Sequence, residues 1–100
     1  MTDGWHISLD TERGDAVPYF CWDTPTTNAQ VRSALRDGSE DAKIAWITRI
    51  MCEAQYWDVW KYLSLRADVL PRWDRVRTRL GRRRPFWEFL IDAWRHDGLI

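Results

Sequence analysis

The stretch SEDAKIAWITRIMCEA, residues 39–54, decides the fold that we predict for this chain. Ser39 is a favourable N-cap, and Glu40 and Asp41 follow in the first turn, where negative charge stabilises a helix. On a helical wheel the apolar side chains fall in one broad stripe, made of Ile44, Ile47, Ile50, Met51 and Ala54. The stretch therefore predicts the main core helix, with other helices packed around its apolar face.

The segment before this helix carries its own helix signals at both ends. Thr27 and Gln30 have the spacing of a capping box, in which each side chain binds the backbone N–H of the other residue. Gly38 follows the last apolar residue and is typical of a helix end. We therefore expect a helix between these residues, with one apolar face made of Val31, Ala34 and Leu35.

Shorter helical segments are predicted after residue 54. Residues 56–63 have the i, i+3, i+4, i+7 spacing of one apolar face, and Ser64 can cap a short segment at 65–70. Pro71 interrupts that pattern. The next helix ends at Gly81 and has an apolar face made of Trp73, Val76 and Leu80.

Pro85 suits the first residue of a last helix, because it has no N–H to leave unpaired there. The predicted apolar stripe of that helix is Phe86, Phe89, Leu90, Ala93 and Trp94. Because the connections are short, each helix must pack against the next helix in the chain. We therefore predict an all-α fold, a compact bundle of five or six short helices over residues 26–100.

Residues 1–25 read as an N-terminal arm of the same single domain. Trp5 to Leu9 alternates apolar and polar side chains like a strand, and 17–22 is a short aromatic run that contains Pro18. Two interpretations follow from this pattern. Either an extended arm lays Phe20 and Trp22 onto the helical core, or the two segments form a small β-hairpin.

The net charge of zero conceals two halves of opposite sign. Residues 1–60 carry 5 basic and 10 acidic side chains, net −5, and residues 61–100 carry 10 basic and 5 acidic, net +5. Seven arginines lie between residues 72 and 84. A basic end suits a polyanion or an acidic partner protein, but the two halves can equally attract each other within the fold.

Eight tryptophans are the unusual feature of the composition. Trp60, Trp73 and Trp94 fit the predicted core stripes, whereas four others fit them poorly, namely Trp22, Trp46, Trp57 and Trp87. Short helices supply few contacts each, so all eight indoles can serve the core. The alternative is that some are exposed anchors for a partner, because Trp and Arg are common hot-spot residues.

The sequence contains no motif of a known catalytic site. Cys21 and Cys52 are isolated, His6 and His96 have no partner at ligand spacing, and no glycine-rich phosphate loop occurs. No stretch approaches the length of a membrane span. We therefore expect a cytoplasmic protein with two buried thiols that is not an enzyme and holds no cofactor and no metal.

The arginine run and the aromatic residues around it are the candidate partner-binding site. Its members are Arg79, Arg82, Arg83, Arg84, Trp87 and Trp57. A protein-interaction module is the first hypothesis for this pattern. The alternative is a nucleic-acid-binding protein, for operator DNA or RNA, that uses the basic C-terminal half and loses affinity steeply with salt.

Two stretches, YFCWDTPTT at 19–27 and LGRRRPFWEFL at 80–90, resemble a family of small bacterial proteins encoded beside nucleotidyltransferase-like toxins of the abortive-infection class. Ser64-Leu65 and Asp74 depart from the family pattern, in which Thr-Pro and Pro are expected. The resemblance covers residues 19–100 and implies no catalytic residue. It implies an antitoxin-like protein that binds and masks such a toxin.

Overall fold

Five short α-helices make up most of residues 7–100, the part of the chain that the computed structural model describes. They are α1 (Asn28–Asp37), α2 (Glu40–Glu53), α3 (Tyr56–Tyr62), α4 (Trp73–Val76) and α5 (Arg84–His96). A π-helical turn at Leu65–Val69 and 3-10 turns at Tyr19–Cys21, Leu70–Arg72, Arg77–Arg79 and Gly81–Arg83 fill the connections. The predicted all-α bundle of short helices is confirmed.

The capping residues set the ends of the first two helices as the sequence predicts. The Gln30 N–H donates to Thr27 Oγ1 over 3.2 Å, and the Thr27 N–H donates to Gln30 Oε1 over 2.9 Å. Gly38 ends α1, and Ser39 accepts from the Ala42 N–H at the start of α2. These local bonds satisfy backbone groups that a helix end leaves unpaired, so they explain why the chain turns where it does.

The core forms around α2. Its predicted stripe is buried, and α1 packs against it with Val31 and Leu35. Val59, Val69, Val76 and Ile91 from the later segments are also fully buried. Each of these segments is too short to bury a face alone, so the bundle is stabilised by the packing of all of them on one central helix.

The N-terminal arm joins this core through Phe20 and Cys21, which are both buried, whereas Trp22 is exposed. Two-residue strands β1 (Ile7–Ser8) and β2 (Val17–Pro18) pair in parallel, whereas a hairpin would pair antiparallel. Trp5 and His6, in the first predicted strand, lie outside the described residues. The interpretation of an arm laid on the core therefore fits Phe20 and fails for Trp22.

Asn28 at the start of α1 holds the arm in place. Its side-chain amide donates to the carbonyls of Asp10 and Arg13, both over 2.8 Å, and its oxygen accepts from the Tyr62 hydroxyl over 2.6 Å. Asn28 is fully buried, so water cannot reach its side-chain amide. These three hydrogen bonds therefore satisfy polar atoms that would otherwise be buried without a partner.

The predicted apolar stripe of α5 is wrong for Phe86 and Phe89, whereas Leu90 and Trp94 pack against the core as predicted. Phe86 and Phe89 are exposed, and the buried residues of this helix are Trp87 and Ile91. Apolar side chains cover more than half of the circumference of α5. Two overlapping stripes therefore have the same i, i+3, i+4, i+7 spacing, one at residues 86, 89, 90 and 93 and the other at residues 87, 90, 91 and 94. Tertiary packing chooses between the two stripes, and the Trp87 indole N–H donates to the Met51 carbonyl over 2.9 Å.

The acidic and basic halves attract each other most clearly at Glu40, and Lys61 also pairs with Asp58 across the boundary. Glu40 in α2 accepts from Arg72 over 2.7 Å and also pairs with Arg75. The hydrogen bond from Arg72 and the positive charge of both arginines hold the pKa of Glu40 below its usual value. This contact links the start of α2 to the segment around α4.

Candidate binding surfaces

The seven arginines between residues 72 and 84 divide into two groups. Four of them have carboxylate partners: Arg72 and Arg75 pair with Glu40, and Arg77 and Arg84 pair with Glu88. The other three form no ion pair with any carboxylate in residues 7–100, and these are Arg79, Arg82 and Arg83. The unpaired group therefore carries positive charge that the described residues leave uncompensated.

These three arginines line one groove with a volume of about 530 Å³, here called the arginine groove. Between them the chain turns sharply, because Leu80 is buried in the core and Gly81 has a φ of 54°, in the left-handed region. The remaining lining residues are Cys52 and Glu53. The Cys52 thiol donates to the Leu80 carbonyl over 3.4 Å and so ties the turn to the end of α2.

A second groove, here called the tryptophan groove, adjoins the first and has a volume of about 580 Å³. It shares Cys52 and Glu53 with the arginine groove, so the two are continuous on the surface. Its aromatic walls are Trp22 from the arm and Trp46 from α2. Trp22 is 62% exposed, which is unusual for an indole and makes its ring available to a ligand.

Arg49 of α2 holds this wall in position. Its guanidinium donates to the Phe20 carbonyl over 2.9 Å and forms an ion pair with Asp23. The same group lies 5.8 Å from the centre of the Trp22 ring, within cation–π distance. These bonds fix the arm on both sides of Trp22, so the exposed ring is oriented before any ligand binds.

The third feature is a set of exposed aromatic side chains on α3 and α5, here called the aromatic surface and made of Tyr56, Trp57, Phe86 and Phe89. Trp57 is 64% exposed and Phe89 is 70% exposed. Tyr56 meets Phe86 edge-to-face, with ring centres 6.0 Å apart, and also stacks on buried Trp87 at 5.8 Å. The exposed rings of Tyr56 and Phe86 therefore rest on the buried ring of Trp87.

The structure divides the six residues of the predicted partner-binding site. Arg79, Arg82 and Arg83 meet in the arginine groove, and Trp57 belongs to the aromatic surface. Arg84 instead donates to Glu88 over 2.9 Å. Trp87 is fully buried, so its assignment to a contact surface was wrong, because the helix turns this side chain towards Met51 in α2.

The sequence pattern places Tyr56, Phe86 and Phe89 in predicted apolar stripes, so it does not predict their exposure. Tyr56 and Trp57 are consecutive, and consecutive helical residues point about 100° apart, so one of them is always poorly placed for the core. The two overlapping stripes of α5 gave a similar signal, because one helix cannot bury both. Trp22 and Trp46 were noted as poor core residues, but their place beside the arginines depends on tertiary contacts.

The titratable groups in the interior serve the fold. The Tyr19 hydroxyl donates to Asp58 over 2.6 Å and accepts from the Gln55 N–H over 2.7 Å. Burial and the bond to Asp58 raise the pKa of Tyr19 to about 12. Burial likewise raises the pKa of Cys21 to about 11 and that of Cys52 above its usual value, although the charge of Arg83 opposes the latter shift.

Within residues 7–100 no three potential metal ligands cluster, and no helix combines the length and the apolar character that crossing a bilayer requires. Comparison of the chain with protein families, with curated proteins and with solved structures finds no match to any of the three.

Proposed function

We propose that this chain is a protein-interaction module that docks on an acidic partner through the aromatic surface. The observation that carries the proposal is the exposure of Tyr56, Trp57, Phe86 and Phe89 on two adjoining helices of a 100-residue chain. Soluble monomers rarely keep several large aromatic rings together in water, because each exposed ring forgoes the free energy of burial.

The support beneath this surface favours binding over accidental exposure. Phe86 and Tyr56 both contact the ring of Trp87, at centre distances of 5.2 Å and 5.8 Å, and Trp87 is itself locked in the core. A rigid aromatic anchor loses little conformational entropy when a partner covers it. Residues of this kind dominate the binding energy of protein interfaces.

The arginines indicate the charge of the partner. Arg82, Arg83 and Arg84 are separated from Phe86 by Pro85 alone, and the C-terminal 40 residues carry a net charge of +5. An acidic partner surface would complete the pairing that Arg82 and Arg83 lack among the described carboxylates. Following the family resemblance, we propose a nucleotidyltransferase-type toxin as this partner, neutralised when its active site or its acidic surface is masked.

Co-expression with the protein encoded by the neighbouring gene tests this proposal. We expect the two proteins to co-purify and the toxic effect on growth to disappear. The double substitution Trp57→Ala, Phe89→Ala should abolish both effects, since hot-spot aromatics contribute about 2 kcal/mol or more each. Trp22→Ala is the matched control, because Trp22 is as exposed as Trp57 but lies outside the aromatic surface. A lone monomer that leaves the toxin active would refute the proposal.

A further inference from the structure

The two continuous grooves present a combination that the aromatic surface does not use. One end has three arginines without a described carboxylate partner, and the other has two indole rings. We propose that these grooves form a binding site for single-stranded nucleic acid, in which the arginines bind phosphates and Trp22 stacks on a base. This site goes beyond the proposed docking function: it shares none of its four aromatic residues, but it uses Arg82 and Arg83, which an acidic partner would also pair with.

The arginine groove matches the phosphate backbone in charge and in donor geometry. Each guanidinium presents planar N–H donors that bind phosphate oxygens in pairs. Arg79 and Arg82 lie on either side of the sharp turn at Gly81, and Arg83 follows directly. Convergence of three such groups on one groove favours a ligand with more than one phosphate over a single carboxylate.

The tryptophan groove supplies an aromatic wall on which a base can stack. Trp22 has one ring side near the Arg49 guanidinium and most of its surface exposed. A base can therefore stack on a ring whose position is already fixed by the bonds of Arg49 to Phe20 and Asp23. Bases of a duplex are already stacked within the helix, so this wall selects single strands.

Glu53 sits where the two grooves meet, and it lines both of them. Its carboxylate repels phosphate, so the backbone of a bound strand lies on the arginine side and the base on the tryptophan side. This arrangement makes Glu53 a specific handle for the test: its neutralisation should strengthen the binding of a polyanion and should weaken the binding of a cationic ligand.

Fluorescence anisotropy with a labelled oligothymidylate tests the proposal on the full chain. We expect the oligonucleotide to bind, and we expect the logarithm of the association constant to fall linearly with the logarithm of the salt concentration. The slope should be about −2, since three phosphate contacts on a single strand give roughly −0.7 each. Arg82→Gln and Arg83→Gln should each reduce the steepness of that slope by about 0.7. Glu53→Gln should raise the affinity, and Trp22→Ala should lower it by about 5- to 150-fold.

Two matched controls separate this site from general charge and from the aromatic surface. Arg95→Gln removes one exposed arginine outside the grooves, and Trp57→Ala removes an indole as exposed as that of Trp22. Both should leave the affinity for the oligothymidylate unchanged. A loss with Arg95→Gln equal to that with Arg82→Gln would overturn the proposal, because binding would then follow net charge alone.

Three competition results complete the test. A duplex of the same length should compete poorly, and equal competition would refute stacking on Trp22. Polyglutamate should also compete poorly, because it has no base to stack on Trp22; equal competition would refute the nucleic-acid site and leave Arg82 and Arg83 to the acidic partner of the docking function. Absence of any binding at low salt would refute the site altogether, without bearing on the co-purification experiment that tests the docking function.

Discussion

The orientation of α5 can be tested quantitatively through Trp87. Trp87→Phe removes an indole N–H that donates to the Met51 carbonyl and leaves a gap in a fully buried position. The unpaired carbonyl costs about 1–3 kcal/mol, and the lost ring volume adds to this cost. We expect a loss of about 2–3 kcal/mol in the free energy of unfolding, which corresponds to roughly 10–20 °C in Tm for a chain of this size.

Phe89→Ala is the reciprocal measurement. Phe89 is 70% exposed, so its truncation should change the free energy of unfolding by less than about 0.5 kcal/mol. If the stripe predicted from the sequence faced the core instead, the same change would cost about 3–5 kcal/mol. Urea unfolding followed by circular dichroism measures both variants against the wild type. A larger loss for Phe89→Ala than for Trp87→Phe would refute the described orientation of α5.

Three other substitutions test separate contacts. Glu88→Gln should destabilise the fold at neutral pH in urea unfolding. Hydrogen bonds from Arg84 and Arg77 lower the pKa of Glu88 below the usual 4.5. The difference in stability between variant and wild type should therefore vanish as the pH falls through that lowered pKa. Gly81→Ala should cost about 1–2 kcal/mol in the same urea unfolding, because its φ is positive although no atom lies within 4 Å of an added Cβ. Gly14→Ala, at a glycine without a positive φ, is the control and should have little effect. Asn28→Ala removes three hydrogen bonds, so it should cost roughly 2–4 kcal/mol and should speed amide hydrogen exchange in the arm. Tyr62→Phe removes one of the three and should cost about 1 kcal/mol.

The ends of α1 and α2 were predictable because their causes are local. A capping box at Thr27 and Gln30 and an N-cap at Ser39 involve residues three positions apart, so the sequence contains the whole interaction. The core stripe of α2 was predictable for the same reason, because one helix face carries it alone. No local pattern encodes the parallel pairing of β1 with β2, and the loop between these strands is bound by Asn28 from a distant position in the chain.

The candidate site was only half predictable from the sequence. The density of arginines between residues 72 and 84 is visible directly, but the density does not tell which arginines are already paired. Glu40 lies more than thirty positions from Arg72, and Glu88 takes partners on both sides of Gly81. The place of Trp22 next to the arginine groove depends equally on folding, because α2 binds the arm through Arg49 and the turn at Gly81 through Cys52.

The way in which carboxylates are shared explains why a neutral chain keeps a basic groove. Glu40 and Glu88 each accept from two arginines, so four arginines are held by two carboxylates. This sharing concentrates those four near negative charge and leaves other acidic residues, such as Asp74, without an ion pair within residues 7–100. The acidic excess of the first half therefore does not neutralise the turn at Gly81.

The groove takes Cys52 and Glu53 from the acidic half and its arginines from the basic half, so neither half alone contains the site. Folding of the whole bundle is thus a condition for binding, and any substitution that loosens the buried Leu80 should weaken the groove and the core together.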